Sequence, residues 1–198
     1  MKSNSDYSNQ RVGIFVDVQN LYHSAKNLYR GRVNYKELMK HLVGDRQLIR
    51  AMAYVVKSEG IIEQSRADIM RAPRPPREEG PSAQAGGSTS AEAAFFEALE
   101  NAGMELRLKD LQVYAGGMKK ADWDVGMAVD AIRMSSFLDV IILVTGDGDF
   151  LPLVDYLKWG AGRVVEVAAF KRSASGKMQE AADKFINIEE IPRIIIKR

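Results

Sequence analysis

Residues 139–150, DVIILVTGDGDF, contain the pattern that decides the fold. Residues 140–144 form a short, unbroken apolar run rich in β-branched side chains, which is typical of a strand buried on both faces of a parallel sheet. The run ends in TGDGD, where two glycines allow a tight turn and Asp147 and Asp149 lie two residues apart. In open α/β sheets, ligands bind at this carboxyl edge. The alternative is purely local: Asp and Gly also favour turns and helix caps.

A second apolar run, at residues 12–16, ends at Asp17 and is followed by a helical pattern to about residue 30. Strand and helix patterns then alternate along the chain. Further strands are expected at residues 48–56, 104–114, 163–170 and 185–188, and further helices at 35–42, 91–101, 121–137, 150–159 and 177–182. This alternation predicts an α/β fold with a mainly parallel sheet and helices on both faces.

The composition narrows the range of chemistry. The chain has 198 residues, a length that suits one domain, and 46% of them are hydrophobic. It has no cysteine, which excludes disulfides, thiolate zinc sites and a cysteine nucleophile, and fits a cytoplasmic protein. Its only histidines are His23 and His41, so a histidine-rich zinc centre is not expected. The net charge of +2 is too small to indicate nucleic-acid binding by itself.

The segments differ in composition. Residues 1–10 are expected to be a flexible tail without a signal peptide, residues 11–188 the folded domain, and residues 189–198 a C-terminal extension. Residues 72–91 hold four of the six prolines and no large apolar side chain, which predicts a mobile loop. No apolar run approaches the roughly 18 residues of a membrane span, so no membrane partner is expected.

Carboxylates mark three predicted junctions where a helix begins or a strand ends. They are Asp17, Asp122, Asp124, Asp147 and Asp149. If the first and central strands are neighbours, all three junctions can face one cleft. Carboxylates without histidine are the ligands of a hard cation such as Mg²⁺ or Mn²⁺. Asp122 is expected to be the N-cap of its helix instead of a ligand.

Asp130 has two open interpretations. It lies six residues after Asp124, which is about 9 Å along a helix and about 240° around it. It can support the site or face the substrate, or it can be an ordinary exposed helix residue.

Three segments resemble the signature blocks of NYN domains. They are IFVDVQN at residues 14–20, KADWDVGMAVDA at 120–131 and LVTGDGDF at 143–150. The most similar group is the LabA/DUF88-like branch of the PIN-like nuclease superfamily, and the resemblance runs from about Arg11 to Ile188. It implies a PIN-like three-layer α/β/α fold and metal-dependent cleavage of RNA. The loop at residues 72–91 departs from the usual pattern.

The resemblance also implies roles for individual residues. Asp17, Asp124, Asp147 and Asp149 match the acidic positions of the metal site. Asn20 matches the polar residue that follows the first Asp, and we assign it to substrate binding. Asp130 matches a further recurrent acid, and we place it on the substrate side.

A nuclease must hold a polyanion beside its acids, so basic side chains should line the cleft. The candidates are Lys119, Lys120, Lys171, Arg172 and Lys177. For any one of them the alternative is an ordinary solvated surface. Trp123 is a candidate for stacking on a base, whereas Phe150 is expected in the core.

We therefore expect a Mg²⁺- or Mn²⁺-dependent ribonuclease. One alternative is a non-catalytic RNA-binding or regulatory NYN module. A haloacid-dehalogenase-like phosphatase would need an acid two residues after Asp17, where this chain has Gln19. A scaffold that recruits a protein through residues 72–91 is a third alternative. The sequence leaves open DNA as a substrate, a protein partner and a homo-oligomer.

Overall fold

The computed structural model describes residues 8–57, 90–110, 112–113, 119–120 and 122–197. The expected mobile loop at 72–91 lies almost wholly outside these residues, as does most of the expected tail at 1–10. The strands are β1 (Arg11–Asp17), β2 (Gly31–Val33), β3 (Gln47–Lys57), β4 (Glu105–Asp110), β5 (Gln112–Val113), β6 (Lys119–Lys120), β7 (Val140–Val144), β8 (Val164–Ala169), β9 (Lys184–Asn187) and β10 (Ile195–Lys197).

The helices alternate with these strands. They are α1 (Val18–Tyr29), α2 (Tyr35–Val43), α3 (Ser90–Glu100), α4 (Asp124–Met134), α5 (Leu151–Asp155) and α6 (Gly176–Ala181). Short 3₁₀ turns cover Ser135–Phe137, Gly148–Phe150 and Ile188–Glu190, and a π-helical turn at Tyr156–Gly160 extends α5. Asn34 caps α2 as its sequence position suggests, because its Oδ1 accepts a hydrogen bond from the Glu37 backbone N–H at 3.3 Å.

Six parallel strands form the central sheet in the order β4-β3-β1-β7-β8-β9. The strand order reverses between β1 and β7, because β3 follows β1 on one side while β8 follows β7 on the other. In the register of these two strands, Val16 is paired with Val144. The residues that follow them, Asp17 and Thr145, are therefore neighbours at the switch point, where open α/β sheets bind ligands.

Two apolar cores lie on the two faces of the sheet. Alternate side chains of β1 point to opposite faces, so Ile14 and Val16 belong to one core and Phe15 to the other. Helices α1, α2 and α3 cover the first face, and α4, α5 and α6 cover the second. This confirms the expected three-layer α/β/α architecture.

Several boundaries differ from the expected ones. The strand expected over residues 104–114 ends at Asp110, and two-residue strands β5 and β6 pair antiparallel after it. The helix expected over 121–137 begins later, at Asp124, and finishes in a 3₁₀ turn. The extension at 189–198 is not a simple tail, because β10 pairs antiparallel with β2 and Ile195 lies opposite Val33.

None of the helices in the described part of the chain combines the length and the apolar character needed to cross a bilayer.

Candidate active site at the switch point of the sheet

A cleft of about 220 Å³ opens at the carboxyl edge of the sheet, beside the switch point between β1 and β7. Acidic, amide and aromatic side chains line it together. They are Asp17, Gln19, Asn20, Tyr54, Asp122, Trp123, Asp124 and Asp147. Three of the four predicted metal-site acids therefore meet at this cleft.

Asp17 is held at the end of β1 by two hydrogen bonds. Its Oδ1 accepts from the Asn20 backbone N–H at 3.0 Å, which makes Asp17 the N-cap of α1. Its Oδ2 accepts from the hydroxyl group of Thr145 at 3.2 Å. The carboxylate is therefore fixed to both strands that form the switch point.

The turn after β7 positions Asp147. The backbone N–H of Asp147 donates to Thr145 Oγ1 at 3.2 Å, and Asp147 Oδ1 accepts from the Asp149 backbone N–H at 3.0 Å. Asp147 is thus a turn cap, as the local interpretation predicts, and it also lines the cleft.

Gly146 lets this turn lie against a neighbouring loop. A Cβ atom at Gly146 would be 3.0 Å from the Cα of Ala174 and 3.3 Å from the backbone oxygen of Ser173. The backbone N–H of Ser175 also donates to the Gly146 carbonyl at 2.9 Å. A larger residue at this position would push the turn, and Asp147 with it, out of place.

Asn20 links α1 to the same turn. Its Oδ1 accepts from the backbone N–H of Gly146 at 3.0 Å. The structure therefore gives Asn20 a positioning contact, and its side chain also lines the cleft.

The first turn of α4 brings Asp124 to the cleft from a different segment than those that carry Asp17 and Asp147. Trp123 precedes it and is anchored by a hydrogen bond from its Nε1 to the Val55 carbonyl at 3.0 Å. The Trp123 ring also packs edge-on against Tyr54, with ring centroids 5.5 Å apart. The indole is thus part of the cleft wall.

Burial and crowding of negative charge change the acidity of the site. Burial is the main factor that raises the pKa of Asp17; hydrogen bonds from Asn20 and Thr145 oppose it, and the charge of Asp147 adds to it. Burial is also the main factor that raises the pKa of Asp124, followed by the charges of neighbouring carboxylates, which are Asp122, Asp17, Asp147 and Asp149. A cation in the cleft would relieve this repulsion.

Two predicted site acids lie outside the cleft lining. Asp149 is exposed and follows Asp147 in the 3₁₀ turn. Asp130 is not an ordinary exposed helix residue, since its side chain is 15% exposed. Its Oδ2 accepts from the hydroxyl group of Tyr54 at 3.1 Å and lies 3.4 Å from Arg107 Nε. Asp130 therefore contacts the cleft through Tyr54.

The basic candidates are distributed differently from the acids. Lys171 is exposed in the turn after β8, at the same edge of the sheet as the cleft. Arg172 is engaged elsewhere, with Glu189 Oε1 at 3.3 Å and the Tyr29 hydroxyl at 2.9 Å. Lys177 is exposed in α6. For Lys119 and Lys120 the structure describes the backbone of β6 only.

Some site residues were not found from the sequence, and one assignment was wrong. Asp122 is not the N-cap of α4: Trp123 holds that position without a side-chain cap, and Asp122 lines the cleft. Tyr54 and Thr145 gave no signal, because each lies within or just after a strand where a core residue is expected. Phe150 is buried at 3% exposure, as predicted.

In the described residues, no group of three or more His, Asp or Glu side chains converges closely enough to hold a metal ion. Among the residues that the structure describes, the cleft thus brings several carboxylates together without a preformed three-carboxylate cage.

Comparisons with known proteins agree with this architecture. The NYN domain family profile matches residues 11–189. A crystal structure of a protein of unknown function from Vibrio parahaemolyticus RIMD 2210633 superposes with a TM-score of 0.75 at 26% identity, covering 99% of this chain and 100% of that one. A comparison with curated protein sequences found no significant match. The profile match covers nearly the whole chain, and the chain therefore belongs to the NYN domain family, a family of PIN-like nuclease domains.

Proposed function

We propose that this chain is a Mg²⁺- or Mn²⁺-dependent ribonuclease that hydrolyses phosphodiester bonds at the switch-point cleft. The observation that supports this most strongly is the meeting of Asp17, Asp124 and Asp147, from three separate segments, at one cleft. The cleft lining contains no histidine, and the chain has no cysteine. Carboxylate chemistry is therefore what this site can offer.

The ligand set fits a hard divalent cation in its chemistry. Asp17, Asp124 and Asp147 supply oxygen ligands, with Asp149 beside them in the same turn as Asp147. Burial, and after it the charges of neighbouring carboxylates, raises the pKa of Asp17 and Asp124, and a bound cation would favour their charged forms. Mg²⁺ keeps several of its water ligands and is commonly bound through only one or two carboxylates together with substrate phosphates. A cage of three converged carboxylates is therefore not required.

The cation, when bound, would lower the pKa of a water molecule and neutralise phosphate charge. The chain's own residues would do the positioning. Thr145 and Asn20 hold Asp17 and the 145–149 turn in fixed relation, and Trp123 and Tyr54 wall the cleft on the other side. In this proposal water is the nucleophile, so we expect direct attack on the phosphorus without a covalent enzyme intermediate.

RNA is the proposed substrate, and DNA remains a second candidate to be tested. Asn20 can donate its side-chain N–H groups to a phosphate oxygen, because its Oδ1 is already used by Gly146. Lys171 lies at the same edge of the sheet, and Lys119 and Lys120 precede Asp124 closely in the chain. We propose these three lysines as phosphate contacts.

A non-catalytic RNA-binding NYN module is the second candidate. The observation that favours it is that no three acids converge to metal-binding distance in the described residues. This alternative predicts RNA binding that weakens with salt, without cleavage in any divalent metal.

The test is cleavage of labelled single-stranded RNA, structured RNA and DNA of the same sequence, in Mn²⁺, in Mg²⁺ and in EDTA. Asp147→Asn should abolish the metal-dependent cleavage and leave folding intact. Asp155→Asn, at an exposed position of α5, is the matched control and should retain full activity. Full activity of Asp147→Asn would show that the metal assignment is wrong. RNA binding without cleavage would favour the second candidate.

A further inference from the structure

A second depression, which we call the β4 groove, lies on the α4 side of the sheet and has a volume of about 300 Å³. Basic, acidic and apolar side chains line it. Those that matter here are Arg50, Arg107, Arg133, Glu105, Asp130 and Phe137. Three guanidinium groups against two carboxylates leave the groove with a net positive charge, in contrast to the acidic cleft.

The β4 groove and the cleft are joined by one hydrogen bond. Tyr54 lines the cleft, and its hydroxyl group donates to Asp130, which lines the groove. Along β3, Arg50 and Tyr54 point to the same face of the sheet and lie about 13 Å apart at the usual strand rise. Tyr54, which is 1% exposed, separates the two depressions, so they lie next to each other and within reach of one short RNA strand.

We propose that the β4 groove carries the phosphate backbone of the RNA strand away from the cleft. This inference rests on the proposed function, and it adds where the RNA strand runs on the protein and which charge lines its path. The acidic cleft would hold the scissile phosphate, and the three arginines would hold phosphates on one side of it.

The existing ion pairs of the groove leave its arginines available. Arg50 and Glu105 pair at 2.6 Å, but both side chains are 51% exposed, so this pair is weak and can exchange for a phosphate. Arg107 contacts Asp130 through Nε at 3.4 Å and is 47% exposed. Arg133 is exposed and has no carboxylate partner among the residues described here.

The same groove offers a surface for a base. Phe137 is 41% exposed in the 3₁₀ turn that follows α4. Aromatic side chains beside a basic track stack on the bases of single strands without sequence preference. We therefore expect the groove to favour single-stranded RNA over a duplex.

The test measures binding of labelled single-stranded RNA of about 12 nucleotides in EDTA, which prevents cleavage. Arg133→Glu should weaken binding about tenfold, and Arg133→Gln should reduce the slope of log K against log salt by about 0.7, the value for one lost phosphate contact. Arg32→Glu is the matched control. Arg32 is also exposed but lies on β2, next to α1 on the opposite face of the sheet, and this change should alter binding less than about twofold.

The outcomes separate this inference from the proposed function. If the unmodified protein cleaves RNA and the Arg133→Glu variant binds RNA normally, the RNA-binding role of the β4 groove is refuted and the nuclease proposal stands. If RNA binding depends on Arg133 but the protein never cleaves RNA, the role of the groove stands and the nuclease proposal is refuted. Equal losses in the Arg133 and Arg32 variants, or no RNA binding by the unmodified protein, would overturn the groove. Thermal melting of each variant checks that folding is unchanged.

Discussion

The hydroxyl group of Thr145 donates to the carboxylate of Asp17 at 3.2 Å and so joins the ends of the two strands that flank the switch point. Thr145 is completely buried. Its Oγ1 also accepts the backbone N–H of Asp147 at 3.2 Å, so one oxygen atom sets the relative positions of two acids of the cleft. Support of this kind is what keeps metal-binding carboxylates in a fixed geometry.

Removal of this hydroxyl group should therefore weaken metal binding while the core stays packed. Thr145→Val keeps the shape of the side chain but leaves the Asp147 backbone N–H and Asp17 Oδ2 without their partner. We expect Mn²⁺ affinity, measured by calorimetry, to fall by about 10- to 100-fold, with a parallel loss of cleavage. Thr145→Ser retains the hydroxyl group and should behave nearly like the unmodified protein. Equal Mn²⁺ affinities for the Val and Ser variants would contradict this role.

The crowded carboxylates of the cleft should lower the free energy of unfolding when no metal is bound. Asp17→Asn keeps the N-cap of α1, because Asn caps helices as well as Asp does, and it removes a charge that burial disfavours. In EDTA we expect this variant to be more stable than the unmodified protein by about 1 kcal/mol in urea unfolding.

Metal should reverse that order. At Mn²⁺ concentrations of about 100 times Kd, the unmodified protein should gain about 2.7 kcal/mol and the Asp17→Asn variant much less. Asp155→Asn should follow the unmodified protein in both conditions. An Asp17→Asn variant that is less stable in EDTA, yet gains fully from Mn²⁺, would remove Asp17 from the metal site.

The central part of the fold could be predicted because its signals are local. Residues 12–16 and 140–144 are apolar runs too short for buried helices, and each ends in an acid beside a helical pattern. Their pairing in one parallel sheet follows from the alternation of elements, and it places Asp17 and Asp147 at one edge without any knowledge of side-chain contacts.

What could not be predicted depends on contacts between distant segments. Strand β10 forms because β2 presents a free edge more than 160 residues earlier, and neither three-residue strand has a pattern of its own. Tyr54 belongs to a strand that reads as uniformly buried, and only the approach of Asp130 on α4 shows that its hydroxyl group has a partner. The sequence suggests Asp122 as a cap, but helix α4 begins at Asp124, three residues later than its pattern indicates.

A buried ion pair between Arg46 and Glu166 should be sensitive to removal of one partner. The contacts are bidentate, with Nη1–Oε1 at 2.9 Å and Nη2–Oε2 at 3.2 Å, and the two side chains are 13% and 8% exposed. Arg46→Met leaves the buried Glu166 carboxylate with one cationic partner among the described residues, Lys184, whose Nζ is 4.0 Å away. We expect a loss of about 3–5 kcal/mol in the free energy of unfolding.

The double variant Arg46→Met/Glu166→Leu shows whether the cost comes from the unpaired charge. Well-packed apolar replacements of buried ion pairs are often neutral, so the double variant should recover most of the loss in urea unfolding. If the double variant is as unstable as Arg46→Met alone, the contribution of Arg46 lies in its hydrogen bonds to the Leu42 and Val43 carbonyls at the end of α2 instead.

Arg11 and Asp139 form an ion pair at the edge of the sheet opposite the cleft, where β1 and β7 begin. Asp139 accepts from Arg11 Nη2 at 2.8 Å, from Nε at 3.0 Å and from the Arg11 backbone N–H at 2.8 Å. The hydrogen bond from the Arg11 side chain, and then that from its backbone, lower the pKa of Asp139 to about 2. The pair thus ties the starts of the two strands whose ends form the cleft.

Because the pKa of Asp139 is lower in the folded than in the unfolded state, its contribution to stability should be complete above about pH 4 and should fall away between pH 4 and pH 2. The side chains are 44% and 36% exposed, so screening by solvent keeps this contribution to stability small. Asp139→Asn should therefore be less stable than the unmodified protein at pH 7, and the difference in urea unfolding should shrink as the pH falls towards 2. Asp155→Asn, at an exposed position without an ion pair among the described residues, is the matched control and should leave the stability at pH 7 nearly unchanged. A difference for Asp139→Asn that stays constant over this range would mean that Asp139 contributes through packing and not through its charge.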